Sequence, residues 1–183
     1  MHLIPLLLLG WTWTSDTPQA THAFRNAECQ VAFQTPADWL ARPDSSEFAE
    51  VCSFVVQPIS RDSLLLESDS VDLHTIFLQV IAEAPERAAA LHGFERRGGN
   101  WLILGRWGAE SPGATYARAG LRGVIGVASA GCYRLGGSYV GACDSPVALL
   151  GNDVRSVTVR GGPRSEDVVN LIASTLEVGD EAS

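Results

Sequence analysis

The chain has 183 residues, of which 46% are hydrophobic, and its formal net charge is −8. An acidic surface repels phosphates and therefore argues against a nucleic-acid-binding protein, while it is compatible with a basic protein partner. All 13 basic residues are arginines, a bias typical of a GC-rich bacterial genome.

Residues 1–23 predict a secretory signal peptide. The segment from Leu3 to Trp13 is almost wholly apolar, and a polar stretch ending in Ala23 follows it. Spanning a bilayer takes roughly 20 apolar residues, so no stable membrane insertion is expected. We therefore predict export to the periplasm or medium, and a single mature domain over 24–183 that begins near Phe24. A buried N-terminal strand or helix is the alternative.

The mature chain reads mainly as short strands. Alternating, β-branched or aromatic-rich segments predict strands over 29–33, 51–56, 74–84, 101–108, 121–135, 138–151 and 154–161. Residues 60–72 are acidic and serine-rich, and they are interpreted as a loop.

Two helices are predicted among these strands. Pro85 suits a helix start and Gly93 its end. Residues 165–176 form the second helix, with Ser165 as its cap. One apolar face of that helix should dock on the sheet; its residues are Val168, Val169, Ile172, Ala173 and Leu176. The predicted class is α+β, with a single antiparallel sheet of about six strands flanked by helices.

The four cysteines predict two disulfides. An even number of cysteines in an exported chain is typical of disulfides, and three connectivities are possible. Hairpin geometry favours Cys132–Cys143, which leaves Cys29–Cys52 as the second pair.

The register of that hairpin follows from its turn. A two-residue turn at 137–138 places Cys132 directly opposite Cys143, within disulfide reach. In this register Tyr133, Leu135, Val140 and Ala142 share a core-facing side, and the disulfide lies on the other side, beside Arg134.

Phe33, Pro36 and Trp39 open the first hairpin, and the closing helix ends in the sequence IASTL. With the order of elements between them, this pattern resembles the PsbP-like fold, which includes the extrinsic photosystem subunit PsbP and bacterial envelope proteins of the DcrB type. The resemblance implies an antiparallel sheet between helices and a non-catalytic adaptor or binding role. It also implies that these three residues are structural.

Few residues suggest catalysis or metal binding. Ser129 lies in a sequence similar to a nucleophile elbow, although its spacing is one residue too long, and His74 or His92 would have to be the base. No Cys-x-x-Cys zinc pattern is present. The acidic residues Glu67, Asp69 and Asp72 lack the spacing of a calcium loop. We therefore expect no catalytic site, no metal and no cofactor.

A partner site is predicted at Arg106, Trp107 and Tyr116. Trp101 and Trp107 fall at opposite ends of one predicted strand and should point to the same side. Both lie in the core in the simpler interpretation. In the alternative, an exposed Trp107 beside Tyr116 forms an aromatic contact patch.

These observations predict an exported, non-catalytic protein that binds another protein of the cell envelope. An inhibitor or a toxin-immunity protein is one concrete version. A carrier of lipids or small ligands, using the space between sheet and helix, is a second hypothesis. A serine hydrolase acting through Ser129 is a third.

Overall fold

The computed structural model describes residues 20–47, 49–59, 73–133 and 139–180. Most of the predicted signal peptide, the 60–72 loop with Glu67, Asp69 and Asp72, and the hairpin turn at 137–138 lie outside the described residues.

Twelve strands make up most of the described chain. They are β1 (Thr21–Asn26), β2 (Val31–Pro36), β3 (Trp39–Pro43), β4 (Ser53–Pro58), β5 (Ile76–Ile81), β6 (Phe94–Arg97), β7 (Asn100–Leu104), β8 (Glu110–Arg118), β9 (Leu121–Tyr133), β10 (Tyr139–Gly151), β11 (Ser156–Gly161) and β12 (Glu177–Val178).

The strands form two antiparallel sheets. Nine strands form the large sheet, in the order β3-β4-β5-β11-β10-β9-β8-β7-β6, and β1-β2-β12 form the small one. Helix α1 (Pro85–Ala88) continues into a 3-10 segment (Ala89–His92), and helix α2 (Glu166–Thr175) precedes β12.

The fold class is therefore mostly β, and the predicted α+β class with a single sheet of about six strands is wrong. Several strands were not predicted, because their segments are polar or contain Pro and Gly. For example, β8 contains Pro112 and Gly113 and shows no clean alternation of apolar residues. Its pairing comes from backbone hydrogen bonds to β7 and β9, which a hydrophobic pattern does not record.

The helices lie where the sequence predicts them. Pro85 occupies the first turn of α1, and Gly93, in the left-handed conformation (φ 74°), ends the 3-10 segment. Ser165 does not cap α2 with its side chain as predicted, because its hydroxyl donates instead to the Gly162 carbonyl, 2.8 Å away.

Helix α2 fills the space between the large sheet and the small sheet. Its predicted apolar face is buried in full: Val168, Val169, Ile172, Ala173 and Leu176. These side chains pack with Phe33, Phe54 and Leu150 in the larger of two apolar clusters. Side chains of the described residues therefore occupy the space that the carrier hypothesis assigned to a ligand.

The second apolar cluster lies on the opposite face of the large sheet. It joins the α1 segment to Phe94, Trp101 and Ile103 of the β6–β7 hairpin. The sheet curls here, so that Ile103 of β7 lies against Gly126 of β9. A Cβ atom at Gly126 would lie 2.6 Å from Ile103 Cδ1. The absence of a side chain at Gly126 permits this close approach.

Both predicted disulfides are present. Cys29–Cys52 and Cys132–Cys143 have Cα separations of 5.5 and 5.7 Å. Cys29–Cys52 joins the turn after β1 to the segment before β4, and so ties the small sheet to the large one.

The predicted register of the second pair is wrong. Cys132 lies opposite Gly141, and Cys143 lies opposite Ala130, because the register shifts between positions 139 and 141. The disulfide therefore joins diagonal neighbours. The side of the hairpin that faces the core also differs from the prediction, since Cys132 is buried while Ala142 is exposed.

Candidate functional site

Trp107 lies in a short turn that presents its indole to solvent. β7 ends at Leu104, and Arg106–Gly108 form a 3-10 turn in which Trp107 adopts a left-handed conformation (φ 57°). The indole is 70% exposed, and the Arg106 guanidinium lies 5.0 Å from its ring centre. Hydrogen bonds between Gly105 and Ala109 (2.7 Å), and between Ala109 and Arg106 (3.3 Å), close the turn.

This conformation is unfavourable for the isolated chain. A left-handed backbone at a bulky residue costs on the order of 1–3 kcal/mol, and such strain concentrates at functional sites. Burial does not compensate for it, because most of the indole faces solvent. The turn is therefore held by its surroundings in a form that displays a large apolar ring.

The two tryptophans do not share a strand, contrary to the prediction. Trp101 is 4% exposed and belongs to the second apolar cluster, whereas Trp107 follows the end of β7. The simpler interpretation, with both rings in the core, is therefore wrong. A break in the strand at Gly105, next to Ser129 of β9, separates the two environments.

Tyr116 is not brought beside Trp107. It lies near the far end of β8, about 20 Å along the strand from the Trp107 turn. Its hydroxyl donates to the Ala173 carbonyl of α2 at 2.8 Å, and its ring packs against the larger apolar cluster. Tyr116 therefore anchors the sheet to α2, and the predicted aromatic pair does not form.

Ser129 and the two histidines lie on separate segments of the fold. Ser129 lies in β9, opposite Asp144. His74 lies just before β5, which is three strands away from β9 in the large sheet, about 14 Å across it. The His92 carbonyl accepts a hydrogen bond from Arg160, over the face that carries the second apolar cluster. The hydrolase hypothesis thus gains no geometric support.

A groove that no sequence pattern predicted lies between β5 and the 3-10 segment. A cavity of about 490 Å³ is lined by residues of three separate stretches of the chain: Glu50, Gln79, Val80, Ile81, Ala82, Glu83, Ala88, Leu91 and His92. A smaller cavity of about 130 Å³ adjoins it, sharing Gln79 and His92 and including Arg160. We call the larger cavity the Glu50–Glu83 groove.

His92 is the titratable group with a perturbed pKa in this groove. Burial lowers the pKa of His92 below its usual range, and the charge of Arg160 lowers it further, while Glu50 and Glu83 oppose the shift. The imidazole is therefore neutral at pH 7. Gln79 donates a side-chain hydrogen bond to the Glu50 carboxylate, which holds that carboxylate over β5.

Among the described residues, no group of three or more His, Cys, Asp or Glu side chains could hold a metal ion. In the same part of the chain, no helix is long and apolar enough to cross a membrane.

No protein-family model matches the chain, and no curated protein matches it. A solved structure from Bacteroides thetaiotaomicron VPI-5482 shares 12% identity and a TM-score of 0.46, over 83% of this chain and 46% of that one. The chain therefore spans about half the length of that structure. The solution structure of cyanobacterial PsbP (CyanoP) from Synechocystis sp. PCC 6803 shares 10% identity and a TM-score of 0.44, over 93% of this chain and 99% of that one.

The resemblance to PsbP is thus found among solved structures as well, at a weak level. Phe33, Pro36 and Trp39, on which the resemblance was based, are all buried. Similarity this low carries no information on function.

Proposed function

We propose that this chain is an exported, non-catalytic protein that binds another protein of the cell envelope, and that it makes contact through the Arg106–Trp107 turn. The observation that carries the proposal is the exposed indole of Trp107, which a left-handed backbone holds away from the core. Tryptophan and arginine are enriched among residues that dominate protein–protein binding energies.

The two disulfides support the exported location. Disulfides persist in oxidising compartments such as the periplasm, and all four cysteines are paired. The apolar segment within residues 1–23 is the proposed signal that directs the chain there. An inhibitor or an immunity protein against a toxin fits this role, because such a protein acts by binding alone.

Affinity capture tests the proposal. The mature chain, tagged at its C-terminus, is expressed in a bacterial envelope, and co-purifying proteins are quantified by mass spectrometry for the wild type, Trp107→Ala and Leu40→Ala. Leu40 is the matched control, because its side chain is also exposed (51%) and apolar but lies in β3, at the other edge of the large sheet. We expect one partner in near-equal amount with the wild type and the control.

Loss of a central aromatic contact weakens binding by at least about 2 kcal/mol. Trp107→Ala should therefore lower the affinity for this partner about thirtyfold or more. Equal melting temperatures of the three proteins would show that folding is unaffected. A partner retained equally by Trp107→Ala would show that the turn is not the contact surface. A protein that purifies alone and monomeric would contradict the binding role.

A further inference from the structure

The Glu50–Glu83 groove is negatively charged. Two carboxylates line it, whereas none of its lining residues in the described part of the chain is an arginine, and this chain has no lysine. The nearby Arg160 lies in the adjoining cavity, where its guanidinium donates to the His92 carbonyl and lies 6.0 Å from the Phe94 ring centre. With His92 neutral, Glu50 and Glu83 supply the charge among the described residues that line the groove.

The groove also offers apolar surface between its charges. Ile81, Val80 and Ala88 contribute to its lining, and Leu91 stands at its side with 84% of its surface exposed. Lysine and arginine side chains combine an apolar stem with a charged end. The stem can lie along the apolar surface while the charged end meets Glu50 and Glu83.

We propose that the Glu50–Glu83 groove receives a lysine or arginine side chain of the partner protein. This inference rests on the proposed binding function and adds the chemistry of the partner: a basic residue beside an apolar one that covers Leu91. The charge complementarity of the groove selects a cation over an anion, and its apolar lining selects a long side chain over a simple ion.

Nuclear magnetic resonance on the isolated protein tests the groove without the partner. The ¹⁵N-labelled chain is titrated with N-acetyl-lysine N-methylamide and N-acetyl-arginine N-methylamide. The norleucine analogue is the matched probe, because it keeps the apolar stem and lacks the charge. We expect saturable shifts at Gln79 and Leu91 with the basic probes, and binding about tenfold weaker with norleucine.

Charge-neutralising variants show whether the groove carboxylates bind the basic probes. Glu50→Gln/Glu83→Gln should reduce the shifts caused by the basic probes to those caused by norleucine. Glu28→Gln/Asp38→Asn removes the same number of charges from exposed positions in two turns outside the groove, and should leave the titration unchanged. Equal binding of the norleucine and basic probes, or no saturable shift up to the solubility limit, would overturn the proposal. Spermidine binding far more tightly than the capped residues would assign the groove to a free polyamine, and would overturn it as well.

The captured partner provides the second test. With Glu50→Gln/Glu83→Gln, its affinity should fall about tenfold, and the fall should diminish at high salt. A partner captured with unchanged affinity would refute the proposal that the groove receives its basic side chain, and would leave the proposed binding function intact. If no partner is captured, the proposed function fails, and the titration still decides whether the groove accepts a basic side chain.

Discussion

Removing each disulfide in turn should destabilise the protein by different amounts. Constraint of the unfolded chain increases with the length of the closed loop. The Cys29–Cys52 loop spans 23 residues, for which the lost entropy of the unfolded chain stabilises the protein by about 3.4 kcal/mol. The Cys132–Cys143 loop spans 11 residues, for which the stabilisation is about 2.8 kcal/mol. Position in the fold adds to this difference, because Cys29–Cys52 joins the two sheets. The other disulfide joins strands that the β-ladder already pairs.

Cys29→Ala/Cys52→Ala and Cys132→Ala/Cys143→Ala are the variants to compare. Each removes one buried cysteine, Cys29 (7% exposed) or Cys132 (3%), so the loss of packing is similar. For a chain of this size, the expected falls in melting temperature are about 7–14 °C and about 6–11 °C. Urea unfolding would give the free energies of unfolding of both variants. Reduction of both disulfides should lower the free energy of unfolding by about 6 kcal/mol, which is comparable to the total stability of many domains.

Two results would refute this reasoning. If the second variant were the less stable one, loop length and the link between the sheets would not control the effect. If reduction left the melting temperature unchanged, neither disulfide would contribute to stability, and the argument for an oxidising compartment would weaken with it.

Three further predictions concern stability. Gly123 and Gly141 have similar positive φ values of 146° and 144°, but a Cβ atom would overlap the facing backbone only at Gly123. Gly123→Ala should therefore be less stable than Gly141→Ala by about 1–3 kcal/mol in urea unfolding, and equal losses would contradict the overlap. Because burial lowers the pKa of His92, its contribution to stability is complete above pH 6.5 and is lost as the pH falls below that value. His92→Gln should flatten this dependence in urea titrations between about pH 5 and 8; an unchanged slope would exclude His92 as its source. Trp101→Ala should lower the free energy of unfolding by about 3–5 kcal/mol, because its ring is buried, and Trp107→Ala by less than about 0.5 kcal/mol, because its ring is exposed. Similar melting temperatures of the two variants would contradict this difference in burial.

The chain's local features were predictable from its sequence. Composition and hairpin geometry identified both disulfide pairs, although the register was wrong because a shift in the ladder moved Cys132 opposite Gly141. Residues at helical spacing identified the buried face of α2. These features depend on residues close together in the chain, or on a property of the whole composition, so that a linear pattern records them.

Only the tertiary structure decided the sheet and the candidate sites. The curl of the sheet buries Trp101, and the strand break at Gly105 exposes Trp107, which a single alternating pattern had placed together. The Glu50–Glu83 groove brings together stretches of the chain before β4, along β5 and around the 3-10 segment. No local pattern records such a groove, because backbone pairing between distant strands places its side chains beside one another.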